Sequence, residues 1–317
     1  MHYEAPSWLK GPHAQTIWPL LIKGSRPKLR RKRWATPDGD FIDLDFLPTQ
    51  DKKPLLILFH GLEGSSRSHY ARSLMRAAYA RGWNGVVVHF RGCSGEPNKL
   101  PRAYHSGDAD ELDWILRKLA QRYPGVPRYA AGVSLGGNAL LCWLGTRGPK
   151  AYKYIQKAAA ISAPMDLSIS GHVLGQGFNR VYTQYFLSTL QKAVRHKAKR
   201  FPGLFNAEHA QKARTLREFD DAYTAPMHGF RNAEDYWRRA SAKPLLQHIQ
   251  LPTLVLNARN DPFLPAQALP TRFDVSPMVV LDQPEEGGHV GFVSGTFPGN
   301  LDWMPNRVLR YFESNDA

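Results

Sequence analysis

The sequence predicts an α/β fold: a mostly parallel sheet flanked by helices and interrupted late in the chain by a helical insertion. Three observations predict it. Continuous apolar runs of strand length, such as PLLILFHG at 54–61, read as strands buried on both faces. Amphipathic stretches of helical period fall between them. The alternation stops after Asp166 and resumes only at Leu251.

Taken in order, RKRWATPDGDFIDLDFL reads as a hairpin whose two partly alternating runs flank the turn signal Pro37-Asp38-Gly39. The run 54–61 is the first buried strand. HYARSLMRAAYARG, 69–82, has a helical period and ends at a glycine. NGVVVHFRG, 84–92, is the second buried strand. SGDADELDWILRKLAQRYPG reads as a helix with a Ser106 cap and an acidic first turn, stopping before Pro124. RYAAGVS is a strand, LGGNALLCWLGTRG a helix, and KAAAISAPMD a strand with a turn behind it. Strand then helix, repeated, implies crossover connections and parallel pairing. Segment 167–245 carries amphipathic helical segments and no convincing strand, and is expected to be a cap inserted within a single domain spanning 1–317. LPTLVLNARND and SPMVVLDQPEEGGHVGF return to strand signatures, and LDWMPNRVLRYFES closes the chain as a helix.

Apolar residues make up 43% and charged residues 22%, the balance of a core-forming globular chain. No run approaches the about 18 apolar residues of a membrane span. The opening MHYEAPSWLKGPHAQ lacks the basic and apolar regions of a secretory signal. Two cysteines, Cys93 and Cys142, are too few for a disulfide framework and suit a reducing compartment, so a cytoplasmic location is expected. The net charge of +15 is unevenly spread. KGSRPKLRRKRW (Lys23–Trp34) carries seven cations and no acid, and QKAVRHKAKR (Gln191–Arg200) carries five more. No zinc-finger spacing or RNP motif accompanies them, so no specific nucleic-acid partner is expected. Two readings stay open for segments 23–33 and 192–200: a solvated basic face, or loose peripheral attraction to an anionic membrane.

The sharpest local feature is Gly132-Val133-Ser134-Leu135-Gly136, between an expected strand and an expected helix. A small-residue turn produces such a pattern. So does a nucleophile elbow, in which a strained strand-to-helix turn lifts the serine Oγ above the sheet. The strand–turn–helix context favours the elbow. A nucleophilic serine needs a base and a group that orients it, in the chain order Ser, acid, His. Asp261 follows an expected strand end, where acids are also ordinary caps. His289 lies one strand later in the glycine-flanked loop EEGGHVGF. The spacing therefore selects Ser134 as nucleophile, His289 as base then acid, and Asp261 as its orienter, with Asp282 the nearest alternative acid. The Leu135 N–H is one expected oxyanion donor, and the Leu62 N–H, in HGLEGSS after the first buried strand, is the other. No H-E-x-x-H, C-x-x-C or P-loop pattern occurs, so neither a metal nor a cofactor is expected. Cap residues Phe178, Tyr182, Tyr185 and Phe186 fit either an acyl pocket or ordinary helix packing. Cys142, on the helix after Ser134, reads as core packing.

The segments HGLEGSSRSHYARSL, HFRGCSGEPNKLPRAYHSGDADELDW, GVSLGGNALLCWLG and LNARNDPFLP…EEGGHVGF resemble the YheT-like α/β-hydrolases, the AB-hydrolase-4 family. The resemblance covers nearly the whole chain. It implies an α/β-hydrolase fold with a helical cap and a serine esterase or lipase acting on short- to medium-chain esters and acylglycerols. The family triad falls on Ser134, Asp261 and His289. Some eukaryotic members transfer the acyl group to an alcohol, and His105 with Asp110 fits an H-x-x-x-x-D pattern discussed for acyltransferases. Asp110 is equally explained as a helix-first-turn acid, and His105 as a residue ordering the Arg91–Tyr104 loop. The expected partner is a small-molecule ester, with acyl transfer and a non-catalytic binding role as the alternative readings. The sequence does not reveal the oligomeric state.

Overall fold

The computed structural model describes residues 2–22, 24–50 and 52–314. Lys23, the first cation of the basic segment 23–33, lies outside them. A short helix, α1 (Pro12–Ile17), precedes the sheet, with proline at its start. Nothing in the sequence reading assigns it, because six residues are too few to display a helical period.

The hairpin expected around Pro37-Asp38-Gly39 forms β1 (Arg30–Ala35) and β2 (Phe41–Phe46), antiparallel from Ala35↔Phe41 to Arg30↔Phe46. β1 is the sheet edge, which explains its charge: cations on an edge strand discourage pairing with another chain. Arg31 is bound through two bonds to Asp45, and Arg33 through two bonds to Asp43 and one to Glu96. Part of the first basic segment is thus neutralised within its own hairpin.

Then follow β3 (Leu55–Phe59), α2 (His69–Ala80), β4 (Asn84–Val88), α3 (Ala109–Arg122), β5 (Arg128–Val133), α4 (Leu135–Arg147) and β6 (Lys157–Ile161). Beyond the cap come β7 (Thr253–Leu256) and β8 (Val279–Asp282), each shorter than its apolar run. The sheet order is β1-β2-β4-β3-β5-β6-β7-β8, parallel from β4 to β8. In β3, Leu55, Ile57 and Phe59 enter the core on one face, and Leu56 and Leu58 enter it on the other. That two-sided burial is why its sequence is a continuous apolar run. β3 lies between β4 and β5, so the strand order reverses there and opens a crevice at the C-terminal ends of β3 and β5.

The α3 cap differs from expectation. Asp108, not Ser106, caps the helix, accepting the Glu111 N–H. Ser106 is buried instead, with its N–H donated to the Tyr236 hydroxyl and its Oγ accepting from Asn138. Packing of the cap onto this loop takes Ser106 out of the capping position.

Between β6 and β7 every element is helical. These are α5 (Leu167–Leu174), α6 (Arg180–Arg200), α7 (Ala207–Lys212), short turns through 216–227, α8 (Ala233–Ala240) and a final turn at Lys243–His248. Asp166, Asn206 and Asn232 cap α5, α7 and α8 through their side chains. Leu187, Val194, Phe219 and Tyr223 form a core of the insertion's own. At the end of α6, Lys197 donates to the carbonyls of Pro101 and Arg102, and Arg200 to those of Asn98 and Lys99. Two cations of the second basic segment therefore clasp the loop after β4 and do not face solvent as a free patch. Among the described residues, no helix is long and apolar enough to cross a membrane.

Candidate active site

Ser134 sits between β5 and α4 with φ 53° and ψ −122°, a conformation that side chains rarely adopt. The glycines around it are needed for close passage. A Cβ on Gly132 would strike the Gly136 carbonyl, and one on Gly136 would strike the His60 carbonyl. The serine is thereby raised at the crevice. Its Oγ lies 3.0 Å from His289 Nε2, and His289 Nδ1 lies 2.9 Å from Asp261 Oδ2. A carboxylate only accepts, so Nδ1 carries the proton and Nε2 is free to accept from the serine hydroxyl. Asp261 Oδ1 also accepts the Phe263 N–H at 2.8 Å, which fixes the carboxylate plane. Residues 155 and 28 positions apart in the chain meet here in one hydrogen-bonded line.

Asp282, the other acid considered, is elsewhere: its carboxylate accepts from Arg307. His105 and Asp110 do not come together. The Asp110 carboxylate is exposed and pairs with Arg147, whereas His105 packs against His228, Phe230 and Tyr236. His105 thus holds the cap to the loop before α3, a different role from ordering the Arg91–Tyr104 loop. Cys142 is buried, which pushes its thiol up to about 12, as suits a packing residue.

The loop after β3 is held from several sides. His60 is fully buried, donates from Nδ1 to the Gly61 carbonyl and accepts the Phe90 N–H at Nε2. Burial drives its pKa down to about 3, so it is a neutral strut. Gly61 N–H donates to the Tyr70 hydroxyl. Tyr104 clamps Glu63 twice: its hydroxyl accepts the Glu63 N–H at 2.9 Å and donates to Glu63 Oε1 at 2.8 Å. Glu63 has φ 53°, so the loop is held against its backbone preference. Between these anchored residues the Leu62 N–H has no acceptor among the described residues, and neither has the Leu135 N–H at the start of α4.

Sequence reasoning missed the residues that hold the His289 and Asp261 loops. Gln15 of α1 is fully buried. Its Oε1 accepts from Asn260 Nδ2 and from Gly287 N–H, both at 2.9 Å, and its Nε2 donates to Leu9 and to Glu286. Thr16 Oγ1 accepts the His289 N–H at 2.9 Å, and Ser162 Oγ accepts the Val290 N–H at 3.0 Å. Phe263 stacks on the His289 ring at 4.0 Å between centroids.

Two cavities meet at Ser134. An apolar one of about 160 Å³ lies under the cap, lined by Leu135, Leu167, Leu174, Leu190, Phe219 and Trp237 among others. An open cleft of about 570 Å³ lies on the other side, and His289 lines it. Tyr182 and Tyr185 line the cleft, and Phe186 lines both spaces. Phe178 lines neither cavity and packs against His13 and Tyr182.

The family described as the alpha/beta hydrolase fold matches residues 54–296. The chain belongs to the α/β-hydrolase family. Within it the chain is YheT-like: it is 42% identical over 303 residues to YheT of Escherichia coli (strain K12), a protein named as an esterase, spanning 93% of this chain and 88% of that one. It is 31% identical over 321 residues to phospholipase ABHD3 of Bos taurus, spanning 98% and 77%. A solved esterase of Pyrococcus furiosus, Pf2001, has the same fold, with a TM-score of 0.59 over 92% of this chain and 95% of that one at 18% identity. This α/β-hydrolase is therefore esterase- and lipase-like.

Proposed function

We propose that this α/β-hydrolase is a serine carboxylic-ester hydrolase for short- to medium-chain acyl esters, acylglycerols included, working through an acyl-enzyme. The observation that carries the reading is the hydrogen-bonded line Asp261–His289–Ser134 at the junction of two cavities. Ser134 Oγ attacks the ester carbonyl as His289 Nε2 takes its proton. Asp261 keeps the imidazole oriented and stabilises its charged form without taking the proton. The unpaired N–H groups of Leu62 and Leu135 receive the oxyanion, each contributing about 2.7–4 kcal/mol to the transition state. His289 then protonates the leaving alkoxide and activates water to release the acid.

The placement of His289 supports one division of the substrate between the two cavities. The leaving oxygen must lie within reach of Nε2, so the alcohol occupies the cleft that His289 lines. The acyl chain occupies the apolar cavity under the cap. The phospholipase name of the ABHD3 relative agrees with an acylated lipid-type substrate. Ser134→Ala is expected to abolish hydrolysis of p-nitrophenyl butyrate and labelling by a fluorophosphonate probe. Wild-type turnover by that variant would overturn the reading.

The cleft of about 570 Å³ has room for a second reading, acyl transfer, since it admits an alcohol as well as water. Ester formed at the expense of free acid, with glycerol or ethanol added, would select it. The free thiols of Cys93 and Cys142 agree with a cytoplasmic location. The cations not bound within the fold supply weak peripheral attraction to anionic membrane, which vesicle sedimentation would show as salt-sensitive binding.

A further inference from the structure

The cleft on the His289 side is lined by three arginines, of which one is ion-paired. Arg67, Arg72 and Arg76 line it, together with Ser134 and His289. Arg76 is spoken for, bound to Asp302 at 2.6 Å. Arg67 and Arg72 form no ion pair among the described residues. Arg72 is half-buried, and its pKa is lowered by burial and by the nearby charges of Arg26 and Arg67. Arg67 and Arg72, which line the same cleft, therefore repel each other, and Arg26 adds to the repulsion on Arg72. Glu63 is the one acidic side chain among the cleft residues. It cannot serve as their counter-ion, because it is committed to Tyr104 and burial pushes its carboxyl up. The rest of that cleft includes the apolar side chains Ile17, Pro19, Leu20 and Ile22.

We propose that Arg67 and Arg72 form a subsite for a phosphate on the alcohol portion of the substrate, so that the preferred ester is an acylated alcohol phosphate. The proposal rests on the esterase reading above, which places the alcohol in this cleft. Guanidinium forks match phosphate oxygens in pairs, and an arriving dianion relieves the repulsion between the arginines. A neutral hydroxyl in place of the phosphate leaves the clustered cations without an offset, so the phosphate ester is the better substrate.

The test compares 1-butyryl-glycerol 3-phosphate with 1-butyryl-glycerol. The wild-type kcat/KM is expected to favour the phosphate ester by about tenfold or more at low salt, and salt should narrow the gap. In Arg67→Gln/Arg72→Gln the ratio between the two esters should collapse toward unity, and Arg67→Lys/Arg72→Lys should recover part of it. A wild-type ratio near unity, or a ratio the glutamines leave unchanged, overturns the subsite. A second arm presents the phosphate ester with a long acyl chain in vesicles. A loss confined to the vesicle-borne ester overturns the subsite and assigns the arginines to membrane attraction; a loss with both supports it. Binding of the phosphate ester to Ser134→Ala by calorimetry separates the two readings. Binding weakened about tenfold by the added glutamines supports the subsite whether or not the wild type hydrolyses esters. Turnover of the neutral ester by Ser134→Ala overturns the esterase reading alone.

Discussion

Gln15 and Asn260 are joined by one hydrogen bond of 2.9 Å, and the same Gln15 oxygen also accepts the Gly287 N–H. One buried amide from the first helix therefore ties the loop of Asp261 to the loop of His289. Every donor and acceptor of that amide is used. Gln15→Leu should leave Asn260 and Gly287 with unmet donors, at a cost of about 1–3 kcal/mol. The expected signature is a lower Tm together with a kcat reduced about tenfold or more and a nearly constant KM for p-nitrophenyl butyrate. An unchanged kcat would show that the two loops hold their alignment without α1.

Asp261→Asn should preserve the fold but lower kcat by about four orders of magnitude, because the amide leaves His289 in the wrong tautomer. A loss of only a few-fold would move the orienting role to another acid.

Tyr104 holds Glu63 at both its N–H and its carboxylate. Tyr104→Phe removes both bonds and frees a loop strained at φ 53°. The Leu62 N–H should then lose its aim, so kcat falls about tenfold while KM moves little. A change in KM alone would mean that Tyr104 acts by shaping the cavity under the cap, which it also lines.

The cavity under the cap, proposed to hold the acyl chain, should be tunable from α5. Leu174 is buried against it, and Leu174→Phe shortens the space. The kcat/KM for an octanoyl ester should fall about tenfold further than that for an acetyl ester, alongside an overpacking cost of about 1–3 kcal/mol. Equal losses on both esters would place the acyl chain elsewhere.

Asp220 gives a pH-dependent stability. Burial and the neighbouring Asp221 push its carboxyl up to about 6 from 3.8. A carboxyl raised in the folded state contributes stability that is complete below about pH 3.8 and is lost as pH rises through about 6. Asp220→Asn keeps an acceptor for the Trp237 N–H. The variant should melt above wild type at pH 8 and show no such gain at pH 4. The same Tm difference at both pH values would remove burial of Asp220 as the cause.

Much of the framework was legible because local chemistry and tertiary fate agreed. β3 reads as a strand buried on both faces from its five consecutive apolar residues, and it is one. The Ser134 turn was legible because the glycines needed for close passage leave a fixed pattern in the chain. α1 was not legible, since a six-residue helix has no visible period. The α3 cap was misplaced because a serine two residues upstream has the same local chemistry as the aspartate that caps the helix.

The sequence by itself determined the strand–helix alternation, the helical insertion and the order Ser134, Asp261, His289, because each is written in periodicity or chain order. Only the tertiary structure decided what holds those residues in place and what surrounds them. Gln15 acts on a partner 245 residues away. The basic runs became an edge strand and a clasp, and Arg67 and Arg72 came to line the cleft at Ser134. Such contacts join distant segments through side chains whose local surroundings are unremarkable in the chain, so no window of sequence displays them.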